Sequence, residues 1–575
     1  MRDIVPLKFK DTIKLLIRRI NGSNRVICEL KIYENRIQEL QQQTCHQEQV
    51  IRELQQQTCR QEQVIRELQQ QTYDWLHRIH DLSKEELQNF DFFNKDKETL
   101  SVLEEKTIHL ITSRVFLTLD IDRKIEIIKK IFTYYTYYLA RNGALVADLI
   151  SLQTTKWLEE NLISLPQACL IYDALYGLYW CGAQSIMDMR NFDKNAVKPF
   201  LKFLSRSLFR TDNQIPLLQL ARTPKKNLRI AYICHYANFE RGNAIAPLIE
   251  TLTKLHSKFD NRDIFIFCVQ WSSVEFIERF KDTNITIRNI PAKNNYNCID
   301  EIVDAIRSDN IDVVINDVAT SIATYIFVKR VAPIQIWLEM GYPFWSIKYV
   351  DWTLLIGKLW QPWFGVPKDY CSSAKIRSKP LDIKSPNAHE VEEVKLSLPN
   401  GMKFLAVFTR LIKITSEYLE IIEEILTEET NTHMLIAGAG DAELIKSFFL
   451  NSPLSSRITV IESNIDISIY REIIYIFLDT FPFVGGLACR EVGTRGIPVV
   501  SLISGEWDYL LQYERVPSLL AKSKKEYINI VHRLLHDEVF YFESSQAMRN
   551  LVNVQFDEME PISEIESVID NFWHM

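Results

Sequence analysis

"LDTFPFVGGLACREVGTRGIPVVSL" (residues 478–502) runs from an apolar strand through a glycine turn into a short helix and then a second apolar strand. That order is the repeating unit of a doubly wound parallel sheet, where helices cross over between parallel strands. Gly485 and Gly486 stand at the mouth of the helix. Glycine there lets the backbone come close to a ligand, and the free N–H groups and positive dipole end favour an anion, so a phosphate is the expected occupant. A strand–helix turn that simply needs flexible residues accounts for the two glycines as well. Glu491, further along the helix, either reaches a hydroxyl-bearing part of the same ligand or is a solvated helix-face glutamate. Gly496 and Pro498 are suited to ending the helix.

Alternating strands and helices continue upstream. "KFLAVF" (403–408), "THMLIAGAG" (432–440), "RITVIE" (457–462) and "IIYIFLDT" (473–480) are short apolar runs with helical stretches between them. They place one lobe at 401–575, with a C-terminal helix free to pack back. A polar stretch with three prolines, 371–400, reads as a linker. Before it, "LRIAYICH" (227–235 within "NLRIAYICH"), "DIFIFCVQ" (263–270), "ITIRNI" (285–290), "IDVVIND" (311–317), "PIQIWLE" (333–339) and "VDWTLL" (350–355) alternate with helices in a second lobe at 226–370. The expected fold class is therefore α/β, two doubly wound parallel-sheet lobes with a cleft between them.

Ligands of such sheets lie beyond the carboxyl ends of the strands, which selects further candidates. Lys413 follows "FLAVF" just before a helix, a poor place for a cation under the dipole argument unless it neutralises a ligand's charge. His235 ends its predicted strand and is expected to face the cleft as a proton acceptor, or to be satisfied by its own loop. Arg241 is a weaker candidate on the same side, for a phosphate or an acidic acceptor.

The segment 85–220 is helical by its three- and four-residue apolar spacing. Its aromatic groups, among them Tyr135, Tyr176, Tyr179 and Trp180, suit helix packing better than a ligand surface. Asp120-Ile121-Asp122 has the DxD form that some sugar transferases use for a metal-bound nucleotide, but it falls among helices instead of after a strand. Within residues 1–84, "IQELQQQTCHQEQV" (37–50) is followed by "IRELQQQTCRQEQV" (51–64). Ile37, Ile51 and Ile65 at one heptad position place Leu40, Leu54 and Leu68 at the other seam position, while Thr44, Thr58, Gln47 and Gln61 fill the alternate heptads. A coiled coil over about 30–76 that self-associates is one reading, and a solvated helical spacer is the other.

Composition excludes several classes. A chain of 575 residues with 47% hydrophobic and 25% charged residues is globular and too long for one core. A net charge of -7 gives no general attraction for nucleic acid or an anionic membrane. Ten scattered cysteines, without a zinc-like spacing, fit reduced thiols in the cytoplasm. The charged N-terminus is no secretory signal, and no apolar run approaches membrane-spanning length.

Four ordered segments together resemble glycosyltransferase family 41, which includes O-linked N-acetylglucosamine transferases and bacterial soluble protein N-glycosyltransferases. They are "APIQIWLEMGYPFWSIKYVDWTLL" (332–355), "TRLIKITSEYLEIIEEIL" (409–426), "FLDTFPFVGGLACREVGTRGIPVVSL" (477–502) and "LLAKSKKEYINIVHRLL" (519–535). The likeness spans roughly 226–545. It implies a GT-B fold and metal-free, inverting transfer of a sugar from a UDP donor to protein Ser/Thr or Asn. By matching position it implies that Lys413 contacts the donor diphosphate, that Gly485 and Gly486 form the phosphate-binding turn, and that Glu491 takes the ribose-binding acidic position. It places Gly341, Tyr342 and Pro343 as a turn facing the donor, Thr409 and Arg410 at the family's polar donor contacts, and His235 where polar residues handle the acceptor proton. The helical region ahead of the lobes resembles the bacterial N-glycosyltransferases. Gly486-Leu487-Ala488-Cys489 replaces the hydroxyl-rich helix opening of the family, and Phe344-Trp345 replaces Thr-Ser after the GYP turn.

The expected function is thus metal-independent, inverting transfer of a hexose or N-acetylhexosamine from a UDP-sugar to a protein or peptide side chain. No cofactor is expected beyond the donor. Two alternatives stand beside it: a GT-B enzyme acting on a glycan or small molecule, and an inactive scaffold that works through its coiled coil.

Overall fold

Strands that are apolar along their whole length are buried on both faces, and here they form two all-parallel sheets. The first contains β1 (Leu228–Ala237), β2 (Arg262–Ser272), β3 (Thr286–Asn289), β4 (Val313–Asn316), β5 (Ile334–Glu339), β6 (Trp352–Ile356) and β7 (Cys371–Ala374). Their order is β3-β2-β1-β4-β5-β6-β7. The second contains β8 (Lys403–Phe408), β9 (Thr432–Ala437), β10 (Ile458–Ile461), β11 (Ile476–Leu478), β12 (Val499–Leu502) and β13 (Leu520–Ala521), in the order β10-β9-β8-β11-β12-β13. Each sheet is covered by crossover helices and has its own core, built around Ile230, Ile266 and Ile315 in the first and Leu405, Leu435 and Phe477 in the second. The computed structural model describes residues 107–138, 142–183, 186–209, 227–239, 245–290, 296, 299–339, 349–356, 371–374, 386–440, 442–503, 515–553 and 559–574. The heptad repeat at 30–76, Arg241 and the Gly341-Tyr342-Pro343 turn lie outside these residues.

The expected linker, 371–400, holds regular structure. Cys371–Ala374 is an edge strand paired in parallel with β6, Thr353 opposite Cys371, and Ala388–Leu396 is a helix capped by the Asn387 side chain. A polar edge strand has no apolar run to announce it. The last helix, Glu560–His574, follows the second lobe in sequence but packs on the first. Ile562, Ile565, Val568 and Ile569 enter the first core. The Glu566 carboxylate receives the Arg262 guanidinium at 2.6 Å and the His256 Nε2 at 2.6 Å.

The described part of the helical region, 107–209, is helical as its spacing predicts. Tyr172 and Tyr179 pack on Phe192, and Tyr172 also on Phe200, so these rings serve the core. Asp120 and Asp122 are structural: Asp120 caps a helix start through the Arg123 N–H at 2.9 Å, and Asp122 receives the Gln167 amide at 2.7 Å. The helix Leu165–Gly182 touches both lobes. On the first, Asp173 receives the backbone N–H and hydroxyl of Ser321 at 2.6 and 2.7 Å, at the start of the helix Ser321–Val328, and Tyr172 donates to the Ala319 carbonyl. Tyr296 also donates to Asp173, at 2.6 Å, yet burial holds the Asp173 pKa up at about 6. On the second lobe, the Arg410 guanidinium lies over the Trp180 ring at 4.2 Å and donates to the Trp180 carbonyl. Among the described residues no helix is long and apolar enough to cross a membrane.

Candidate active site

The carboxyl ends of β8, β9 and β11 converge on one edge of the second sheet. After β8 the chain makes a short helical turn, Leu411–Lys413, before the helix Ser416–Glu428 begins at the Thr415 cap. Backbone bonds stitch this turn to the end of β9, from the Thr409 N–H to the Ala437 carbonyl and from the Leu411 N–H to the Ala439 carbonyl. The approach is close enough to demand glycine at 438, where an added Cβ would lie 1.6 Å from the Thr409 carbonyl oxygen.

After β11 the chain enters a turn fixed by Asp479, which is buried. One carboxylate oxygen receives the Gly485 N–H at 2.6 Å, and the other receives the Ser501 hydroxyl at 2.7 Å and the Arg515 guanidinium at 2.8 Å. Arg515, fully buried, also donates to the Gly485 carbonyl at 2.5 Å. Two buried phenols finish the frame, Tyr418 donating to the Leu478 carbonyl and Tyr527 to the Asp479 carbonyl. A buried ion pair this fully hydrogen-bonded holds one backbone geometry, because loss of either partner strands the other charge. Gly485 must be glycine, since a Cβ would meet the Cys489 sulfur at 2.8 Å and the Asp479 carboxylate at 3.0 Å. Gly486 caps the helix Leu487–Gly493 and faces open space.

Lys413 joins the two turns. Its Nζ donates to the Val484 carbonyl at 2.9 Å, one residue before Gly485. Burial, with the Arg410 charge beside it, lowers its pKa to about 8 against the pull of Asp479. Lys413 and the Gly485-Gly486 turn, each expected at the donor, thus lie at the same edge, joined through Val484. Glu491 sits on the helix that follows, half-buried, its carbonyl accepting from the Thr494 hydroxyl at 2.6 Å. Thr409 lies at the same edge, half-buried. Arg410, expected at the donor, is engaged with Trp180.

His235 departs from its expected position. β1 continues through Ala237, with a shift of register between Cys234 and Tyr236, so His235 lies within the strand and not at its end. It is fully buried, with Nε2 2.9 Å from the Asn316 side-chain oxygen and Nδ1 3.3 Å from the Thr320 hydroxyl. Burial drives its pKa down to about 4 despite the bond to Asn316. A base works best with a pKa near the working pH, and this ring is both too acidic and too enclosed to fill that role as it stands.

Sequence reasoning passed over Asp479, Arg515, Tyr418 and Tyr527. The signal for the first was the lone acid closing the apolar run "IYIFLD"; Arg515, next to Glu514, carried none.

No family model matches the chain, and no curated protein matches it. Among solved structures, a mutant of the Thermobaculum terrenum O-GlcNAc transferase is similar with 15% identity and a TM-score of 0.52, covering 84% of this chain and 98% of that one. The Anabaena protein HepE, in complex with UDP and glucose, has 11% identity and a TM-score of 0.45 over 60% of this chain and all of that chain. WaaG, a glycosyltransferase involved in lipopolysaccharide biosynthesis, has 12% identity and a TM-score of 0.40, covering 59% and 99%. At such identities the likeness bears on the fold: two parallel-sheet lobes of the GT-B class with a helical region.

Proposed function

We propose that the chain is a GT-B glycosyltransferase that moves a sugar from a UDP-sugar to a protein or peptide side chain, with inversion and without a catalytic metal. The observation that carries the reading is the Lys413 Nζ held on the Val484 carbonyl beside the Gly485-Gly486 turn, at the carboxyl edge of the second sheet. An ammonium beside the start of the helix Leu487–Gly493 at that edge suits a diphosphate. The likeness to the O-GlcNAc transferase extends over 84% of the chain, and so includes much of the helical region; this supports a protein acceptor.

In this mechanism the acceptor attacks the anomeric carbon in line, the bond to the UDP oxygen breaks, and the departing diphosphate gains negative charge. Lys413 and the glycine turn stabilise that charge, and the Asp479–Arg515 pair holds the turn in place beforehand. Glu491, on the helix that follows, is assigned the ribose hydroxyls, and Thr409 a contact to the donor. We do not assign the acceptor proton to His235.

The test is UDP release by the purified chain with a panel of UDP-sugars, no added metal, and a pooled peptide library. Peptide-dependent release with one donor, lost in Lys413→Ala, is the expected result. Release dependent on free sugars or lipids instead of peptides overturns the acceptor assignment. Absence of both release and UDP binding overturns the transferase reading itself.

A further inference from the structure

We propose that Glu429, His532 and His536 form a divalent-metal site of the zinc type on the second lobe, at the edge of its sheet opposite the Lys413 turn. Glu429 closes the helix Ser416–Glu428 and precedes β9, so it lies where the parallel strands begin, whereas Lys413 and Gly485 lie where they end. His532 and His536 are four residues apart near the end of the helix Lys524–His536, and this spacing puts both imidazoles on one face.

The ligand atoms converge. The Glu429 Oε1 is 2.5 Å from the His532 Nδ1 and 2.8 Å from the His536 Nε2, and all three atoms lie within 4.8 Å of one another. Zinc takes such ligands at about 2.0–2.2 Å in a tetrahedron, with ligand atoms about 3.4 Å apart. The two Glu429–histidine separations must widen by under about 1 Å, within reach of side-chain torsions. Among the described residues this is the one group of three or more His, Cys, Asp or Glu side chains placed to share an ion.

Two further observations point to a cation. The Glu428 Oε2 lies 2.6 Å from the Nε2 of His532, on the far side of the ring from Glu429, but out of line for a hydrogen bond, which leaves that buried nitrogen without a hydrogen-bond partner. A small turn of the ring would align the two in the carboxylate–histidine arrangement that directs the other ring nitrogen toward a metal. In addition, Glu428 and Glu429 are two acids at a helix C-terminus, where the dipole is already negative, and the last turn of that helix has no basic residue. The Arg457 guanidinium donates to the Glu429 backbone carbonyl at 2.8 Å, and the Thr432 hydroxyl donates to the same oxygen. These bonds anchor the residue and leave its carboxylate to the histidines. His536 is 69% exposed, so a fourth position is open to water.

The same contacts also suit a cluster of ion pairs that needs no metal. Calorimetric titration of the chelator-treated full chain with zinc chloride at pH 7.5, with thermal unfolding in parallel, separates the two. The expected result is one zinc per chain at about micromolar affinity or tighter, with a raised Tm. His536→Ala, a surface change, and Glu429→Gln should each weaken this binding by about a hundredfold or more and abolish the Tm shift, leaving UDP release unchanged. Equal zinc binding in wild type and both variants overturns the site, since the zinc is then held elsewhere. So does an absence of zinc binding, or a Tm that ignores zinc.

Discussion

Lys413 makes the proposed mechanism testable through pH alone. With a pKa of about 8, its ammonium is about 91% protonated at pH 7 and about 9% at pH 9, whereas an ordinary lysine remains about 97% protonated at pH 9. If the charge on Lys413 stabilises the departing diphosphate, kcat/KM for the UDP-sugar falls about tenfold between pH 7 and pH 9, because that parameter reports the free enzyme. The limb in kcat should lie higher, since the bound donor's negative charge favours the ammonium. Lys413→Met removes the charge with little change of volume. It should lower kcat/KM at pH 7 by about 10² to 10³, and the gap to wild type should shrink about tenfold by pH 9. Ionisation of the donor itself acts on both proteins alike and cancels in the ratio. A wild-type profile flat to pH 9.5, or a limb that persists unchanged in Lys413→Met, refutes the assignment.

Asp479→Asn leaves the buried Arg515 charge without its counter-charge and should cost about 3–5 kcal/mol in chemical denaturation; wild-type stability would mean that the pair does not hold the turn. Gly438→Ala forces the Thr409 loop to move and should destabilise by about 1–3 kcal/mol or more, read as a lowered Tm together with weakened UDP binding. An unshifted Tm would show that the loop yields freely. Glu566 is buried, a cost that bonds from His256 and Arg262 outweigh, so its folded pKa lies at about 2 against 4.5 when unfolded. Its stabilisation is therefore complete above about pH 4.5 and is lost as pH falls toward 2. Glu566→Gln should speed hydrogen exchange across 560–574 at neutral pH, with the difference from wild type shrinking below pH 4.5. A difference independent of pH would assign the effect to packing.

The strands were legible because parallel strands are apolar along their length: "IDVVIND" and "THMLIA" announce themselves before any contact is known. Cys371–Ala374 was not, because an edge strand needs no second apolar face. A C-terminal helix free to pack back was expected, but nothing local said which lobe would receive Ile562 and Ile569. At the candidate site, Lys413 and the two glycines were legible from their position just after apolar runs, a consequence of topology. The residues that fix the turn were not. Asp479 and Arg515 meet across 36 residues, and His235 meets Asn316 across 81, pairings that no local spacing encodes. His235 was misplaced for a simpler reason: β1 runs two residues beyond it, to Ala237.

The helix Leu165–Gly182 sets a limit on how this protein can be cut. Its middle supplies the acid that closes the start of Ser321–Val328, and its end supplies the ring on which Arg410 rests. Residues 226–575 are accordingly no portable cassette. Excised, they would expose the donors of Ser321 and Tyr296 that Asp173 now receives, and would free Arg410 three positions from Lys413. The helix thus belongs with both lobes, and a cut between it and the sheets would break each of these contacts.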